Sequence, residues 1–247
     1  MDEADAMPIA DLVDERRYLL DVARGMLGGA GEAERVVDEV YRLWYGLSDE
    51  ARRRIVRPRA WLAERAGRSC LHRLAGTGQV GGRVGRGDGG PALGRAAAEA
   101  LSPPPLRESA RRGRARRTGE REQDAVVRAV GRACLAGNGE LLTSLLCERA
   151  TAFVDGGGKL RAPDRPVHGR RPVARTLLAL LAPRPRTALS AQSVNGRTGL
   201  VVRYERRVAA VICLDVTDHG VARVWVVLNP DKLRSWNRPP GPRPART

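Results

Sequence analysis

The sequence predicts a helical N-terminal unit joined to a separate α+β domain. Three observations carry this. Apolar residues recur at helical spacing in the first 75 residues. A glycine- and arginine-rich stretch then breaks every apolar pattern. From residue 123 onward, helical runs give way to strand-like runs separated by turn residues. The boundaries that follow are 10–75 for the helical unit, 76–122 for a linker, 123–236 for the α+β domain and 237–247 for a disordered tail. A length of 247 residues accommodates two modest domains.

Residues 15–27 set Leu19, Val22, Ala23 and Met26 at helical spacing and stop at Gly28 and Gly29. Residues 31–45 are clearer: Ala33, Val36, Val37, Val40, Tyr41 and Trp44 form one apolar helical face. Pro58 suits the first turn of a third helix, which runs through AWLAERAGRSCLHRL. The stretch AGTGQVGGRVGRGDGGPALG cannot hold a core. It contains Gly76-x-Gly78-x-x-Gly81, but a dinucleotide fingerprint needs a strand before it and a helix after it; here a helix precedes and more glycine follows. Pro103, Pro104 and Pro105 break any helix through 93–117, leaving the remains of a helix-turn-helix or a basic tether.

The second domain opens with DAVVRAVGRACLAGNGELLTSLL, two helices joined at AGNG. ATAFVDGGGKLRA predicts a strand and a glycine turn, and RRPVARTLLALLA a helix. The remainder is strand-rich. Asn195-Gly196 and Asp218-His219-Gly220 mark hairpin turns, so an antiparallel meander is expected.

Net charge is +16 and unevenly placed. Residues 1–50 hold 13 acids and 5 bases, whereas residues 51–121 hold 18 bases and 5 acids. An acidic head before a strongly basic middle suits a polyanionic partner, most simply nucleic acid. The four cysteines and three histidines are scattered without a CxxC pair, so neither a zinc site nor a disulfide framework is expected, and no cofactor. No apolar run reaches the roughly 18 residues of a membrane span. The acidic N-terminus lacks an apolar signal core, so a cytoplasmic protein is expected.

Of 44 basic residues only Lys159 and Lys232 are lysine. The Arg-, Ala-, Gly- and Pro-rich composition fits a GC-rich coding bias, under which lysine persists where a compact ammonium is needed and a planar guanidinium does not fit. Both lysines lie in turn motifs, DGGGK and NPDK.

LLDVARGMLGGAGEAERVVDEVYRLW and RPRAWLAERAGRSCLHRL resemble region two of extracytoplasmic-function sigma factors, the promoter-melting subunits of bacterial RNA polymerase in the sigma-70 family. AFVDGGGKLRAPDRPVHGRRPVARTLL and VVLNPDKLRSW resemble the C-terminal domain of one subgroup of them, a SnoaL-like, cone-shaped α+β barrel. Together the two resemblances cover about three quarters of the chain. Only AAAEALSPPPLRESARRGRARR is similar to the tail of region four, so that domain is truncated or degenerate. The polymerase-binding helix of these factors reads AED-x-x-Q, whereas this chain has Ala33, Glu34, Arg35 and Asp38. Arg68 stands where family members often carry an asparagine.

The resemblance implies RNA polymerase core and promoter DNA as partners, with regulation by the SnoaL-like domain and a small-molecule ligand in its barrel as a further partner. For DNA the candidates are Arg54, Arg57, Arg59, Trp61, Arg65 and Arg68. Trp61, Arg65, Arg68 and His72 share one helical face: arginines track phosphates, and an aromatic ring stacks on an unpaired base or anchors a core. Arg52 and Arg53 belong to the same basic cluster. For polymerase the candidates are Glu34, Asp38 and Glu39, with Glu32 nearby.

An interdomain signature is expected at Asp155, Gly156, Gly157, Gly158 and Lys159, together with Asn229, Pro230, Asp231 and Lys232. The lysines would hold the barrel against the helical unit, with Asp155 and Asp231 as natural partners. Asp155, His168, Asp215 and His219 are the available acid–base groups, but none forms a recognisable pair, so no catalysis is expected. Two rival functions stand beside the sigma-like regulator: a non-initiating, sigma-derived decoy or co-regulator, and a small-molecule-binding or enzymatic SnoaL-like protein.

Overall fold

A computed structural model describes residues 6–77 and 119–238. The region-four remnant and almost all of the tail lie outside the described residues.

Four helices come first: α1 (Ile9–Leu27), α2 (Ala30–Gly46), α3 (Asp49–Arg54) and α4 (Pro58–Thr77). Gly28 ends α1 in the left-handed conformation (φ 74°) and donates its N–H to the Arg24 carbonyl, a glycine C-cap. The predicted face of α2 is fully used: Ala33, Val36, Val37, Val40, Tyr41 and Trp44 are all buried. They pack with Leu19 and Ala23 of α1 and with Leu62, Ala66 and Cys70 of α4. Pro58 opens α4 as expected. The short α3 was not foreseen. Its N-cap is Ser48, whose hydroxyl accepts the Ala51 N–H at 3.2 Å.

The rest is α5 (Glu120–Leu135), α6 (Gly139–Leu145), β1 (Leu146–Asp155), β2 (Val167–His168), α7 (Arg170–Leu180), β3 (Thr187–Val194), β4 (Arg197–Tyr204), β5 (Arg207–Thr217) and β6 (Gly220–Val227). Asn138 in AGNG caps α6 by accepting the Leu141 N–H. The six strands form one sheet in the order β2-β1-β6-β5-β4-β3. β3 to β6 make the expected antiparallel meander. β1 pairs in parallel with β6, so the sheet is mixed. The long connection between them runs through β2, α7 and β3 to β5, as parallel strands cannot be joined by a tight turn. The result is an α+β fold, a mixed six-stranded sheet with helices on one face, behind a helical unit, as expected.

The larger apolar core lies between one face of the sheet and α5 to α7. The first turns of α1 also enter it, burying Ile9, Ala10 and Leu12. α1 therefore serves two cores, its front half facing the barrel and its back half facing α2 and α4. On the opposite sheet face, Leu233 and Trp236 of the closing segment cover Val194, Val201, Val208 and Val211. The Asn237 amide ties that segment to both backbone groups of Val208, at 2.8 and 2.9 Å.

Candidate functional site

The segment after the glycine turn, residues 156–165, is stitched to three helices of the first unit. Arg16 donates to the Lys159 carbonyl at 3.0 Å. The Tyr45 hydroxyl donates to the Leu160 carbonyl and accepts the Ala162 N–H at 3.1 Å. Burial pushes that phenol up to about 12, so it stays a neutral hydrogen-bonding group. Arg161 pairs with Glu15 at 3.1 Å. Asp164 accepts from Arg52 at 3.0 Å, and Arg165 reaches Asp49 at 3.3 Å.

Both lysines were expected to join the two units; Lys159 sits at one end of this seam and does so through Asp38, whereas the Lys232 ion pair with Asp155 lies within the second domain. Lys159 Nζ lies 2.7 Å from Asp231 of the closing segment and 3.1 Å from Asp38 of α2. Arg16 holds the other Asp38 oxygen at 3.0 Å. Lys232 Nζ lies 2.9 Å from Asp155 Oδ2, a charge contact off the hydrogen-bonding direction, while Asp155 Oδ1 accepts the Gly157 N–H at 2.9 Å. The two motifs thus cross-pair, each lysine with the other motif's aspartate. Burial works against the Lys159 charge, but its hydrogen bonds to Asp231 and Asp38 outweigh it and hold the pKa above the ordinary lysine value. The Lys159 hydrogen bond lowers the Asp231 pKa, against a smaller burial effect.

The glycines explain themselves. Gly157 (φ 63°) and Gly158 (φ 64°) are both left-handed. A Cβ on Gly157 would also run into the Asn229 amide, well inside contact distance. Asn229 in turn accepts the Asp231 N–H at 3.0 Å, and its own backbone N–H donates to the Asp155 carbonyl at 2.9 Å. Pro230 lies between Asn229 and Asp231 in this turn. Gly156 lets Leu160 and Ala162 approach.

The acidic candidates of α2 divide. Glu34 is exposed. Asp38 is held by Arg16 and Lys159, and Glu39 by Arg73 at 2.8 Å. Glu32 is shared by Arg35 and Arg73.

The basic candidates lie on and just before α4. Arg53, Arg54, Arg57, Arg59, Arg65 and Arg68 are exposed. Arg54 and Arg68 carry helical partners, Glu50 and Glu64. Arg59 lies over the Tyr18 ring at 4.7 Å. Trp61 is half-buried, edge-on to Trp44 at 5.6 Å, and Arg65 stacks over it at 5.2 Å. Arg52 departs from the expectation: it is buried and neutralised by Asp49 and Asp164, so it belongs to the seam and is unavailable to a phosphate.

The remaining acid–base groups stay apart. His168 contacts Thr151, Asp215 faces Arg223 at 3.6 Å, and His219 is exposed. Among the described residues no cluster of His, Cys, Asp or Glu could hold a metal, and no helix is long and apolar enough to cross a membrane. Sequence reading missed Glu15, Arg16, Tyr45, Arg161 and Asp164. A lone hydrophobicity pattern gives no signal for them, because each works through a partner more than a hundred residues away or on another helix.

No known protein family matches the chain, and no curated protein matches it. Among solved structures it is similar to the Mycobacterium tuberculosis extracytoplasmic function sigma factor SigJ, at 21% identity and a TM-score of 0.38, over 92% of this chain and 98% of that one. A five-fold substituted form of Rd1NTF2_05 aligns at 13% identity and a TM-score of 0.32, over 41% of this chain and 93% of its own.

Proposed function

We propose that the chain is a non-catalytic, sigma-factor-like transcription regulator, in which the helical unit engages RNA polymerase core and single-stranded promoter DNA while the SnoaL-like domain holds and regulates it. The observation that carries this reading is the α4 stripe. Trp61 offers a partly open ring, and Arg65 and Arg68 stand on the same face with Arg57 and Arg59 beside its start. Stacking surface plus phosphate-tracking guanidinium groups is the chemistry of single-strand binding.

The test is anisotropy of a labelled single-stranded oligonucleotide across a salt series. Arg57→Gln, Arg59→Gln and Arg65→Gln together should weaken binding and reduce the log–log salt slope by about 2, at roughly 0.7 per phosphate contact. An unchanged slope would remove α4 from the interface.

A second reading has its own observation. Asp38 and Glu39 of α2 are engaged within the chain, leaving Glu34 as the exposed acid of the three. That favours a sigma-derived decoy or co-regulator, which binds a partner without starting transcription.

A further inference from the structure

A cavity of about 440 Å³ opens at the junction of α1 with the closing segment, at the edge of the barrel's apolar core. That volume lies in the range of small-ligand sites, roughly 300–1,000 Å³. Its walls are of two kinds. Val13 and Leu20 of α1 face Leu228 and Leu233 across it and give it an apolar body. Six cations line it: Arg16, Arg17, Arg24, Lys159, Arg207 and Arg234, against two acids, Glu34 and Asp231.

Most of those cations are already balanced. Arg16 holds Asp38, Arg17 holds Glu205 at 2.8 Å, and Lys159 and Arg234 share Asp231. Two are not. Arg24 reaches Asp21 only at 3.7 Å and is half exposed. Arg207 has no acidic side chain within ion-pair distance among the described residues. Glu34 is the opposing acid left at the cavity. Two loosely held guanidinium groups beside an apolar body can turn onto a carboxylate head.

We propose that this seam cavity binds an amphiphilic monocarboxylate, its apolar part between α1 and the closing segment and its head on Arg24 and Arg207. A guanidinium fork matches a carboxylate in shape as well as charge. Lys159 and Asp231 line the same cavity. An occupant therefore touches the contact that joins the two units, and its binding is linked to how firmly they are held. The proposal stands whether or not the chain acts in transcription.

The experiment is isothermal titration of the full chain with decanoate, decanol and decyltrimethylammonium, each below its micelle concentration. Decanoate should bind one per chain and at least tenfold more tightly than either of the others. The exposed pair Arg24→Gln and Arg207→Gln, with thermal unfolding confirming its fold, should bring decanoate down to the level of decanol. Absence of saturable decanoate binding, equal affinity for decanol, or undiminished binding by the double variant would each overturn the assignment.

Discussion

Glu15 is the most exacting residue of the seam. Its side chain is 2% exposed, and the charge is answered by Arg161, itself 13% exposed, with the Tyr41 hydroxyl alongside. Removing one member of a buried ion pair strands the other without water or partner. Arg161→Ala should therefore cost about 3–5 kcal/mol in urea unfolding. Replacing both, as Glu15→Leu with Arg161→Met, should cost clearly less than Arg161→Ala alone, because no stranded charge remains. Equal losses in the two variants would show that packing, not charge, makes the position critical.

Lys159 also works at this scale. Its compact ammonium meets carboxylates from two separate elements, Asp38 and Asp231. The pH signs follow from the two shifts. Asp231 is lowered from 3.8, so its contribution is present above that value and is lost as pH falls through the lower folded value. Lys159 is raised from 10.5, so its contribution is present below that value and is lost as pH rises past the higher folded one. Asp231→Asn should thus show a constant stability deficit from about pH 5 to 9, of about 1 kcal/mol or less given its partial exposure. The deficit should vanish in acid below the folded value. A deficit that persisted there would point to lost packing instead.

At the scale of elements, the glycine turn and the closing loop fit as one piece. Gly157 and Gly158 have nearly the same left-handed backbone, but only Gly157 lies against Asn229. Gly158→Ala should cost about 1–2 kcal/mol from backbone strain alone. Gly157→Ala should cost more, since Asn229 must also leave its place. Urea midpoints of the two variants decide it, and equal losses would mean that the loops do not interlock.

The sequence made some elements plain and hid others for physical reasons. α2 was legible because every residue on its inner face is apolar. α1 begins at Ile9, not near residue 15, because Glu15 and Arg16 lie on its buried face and interrupt the apolar rhythm. α3 is six residues, DEARRR, with Ala51 as its one apolar residue. The β1–β6 pairing joins residues about 70 apart and leaves no local mark. Lys159 lies on the seam, yet the stitching through Tyr45 and Arg52 depends on chain segments meeting in space.

At the scale of the whole molecule, the acidic head and the basic middle resolve into separate jobs. Many acids of α1 and α2 bind arginines and lysines of the chain, Arg73 of α4 among them, while Arg59, Arg65 and Arg68 of α4 face outward. A helical body with an exposed cationic edge is joined to the second domain through Lys159, and the proposed regulatory role would use that edge. The most direct measurement is capture of the full chain by immobilised bacterial RNA polymerase core, washed at moderate salt. Stoichiometric retention is the expected result, with run-off transcripts separating an initiating factor from a decoy. Elution of the whole chain in the unbound fraction would contradict the proposed role.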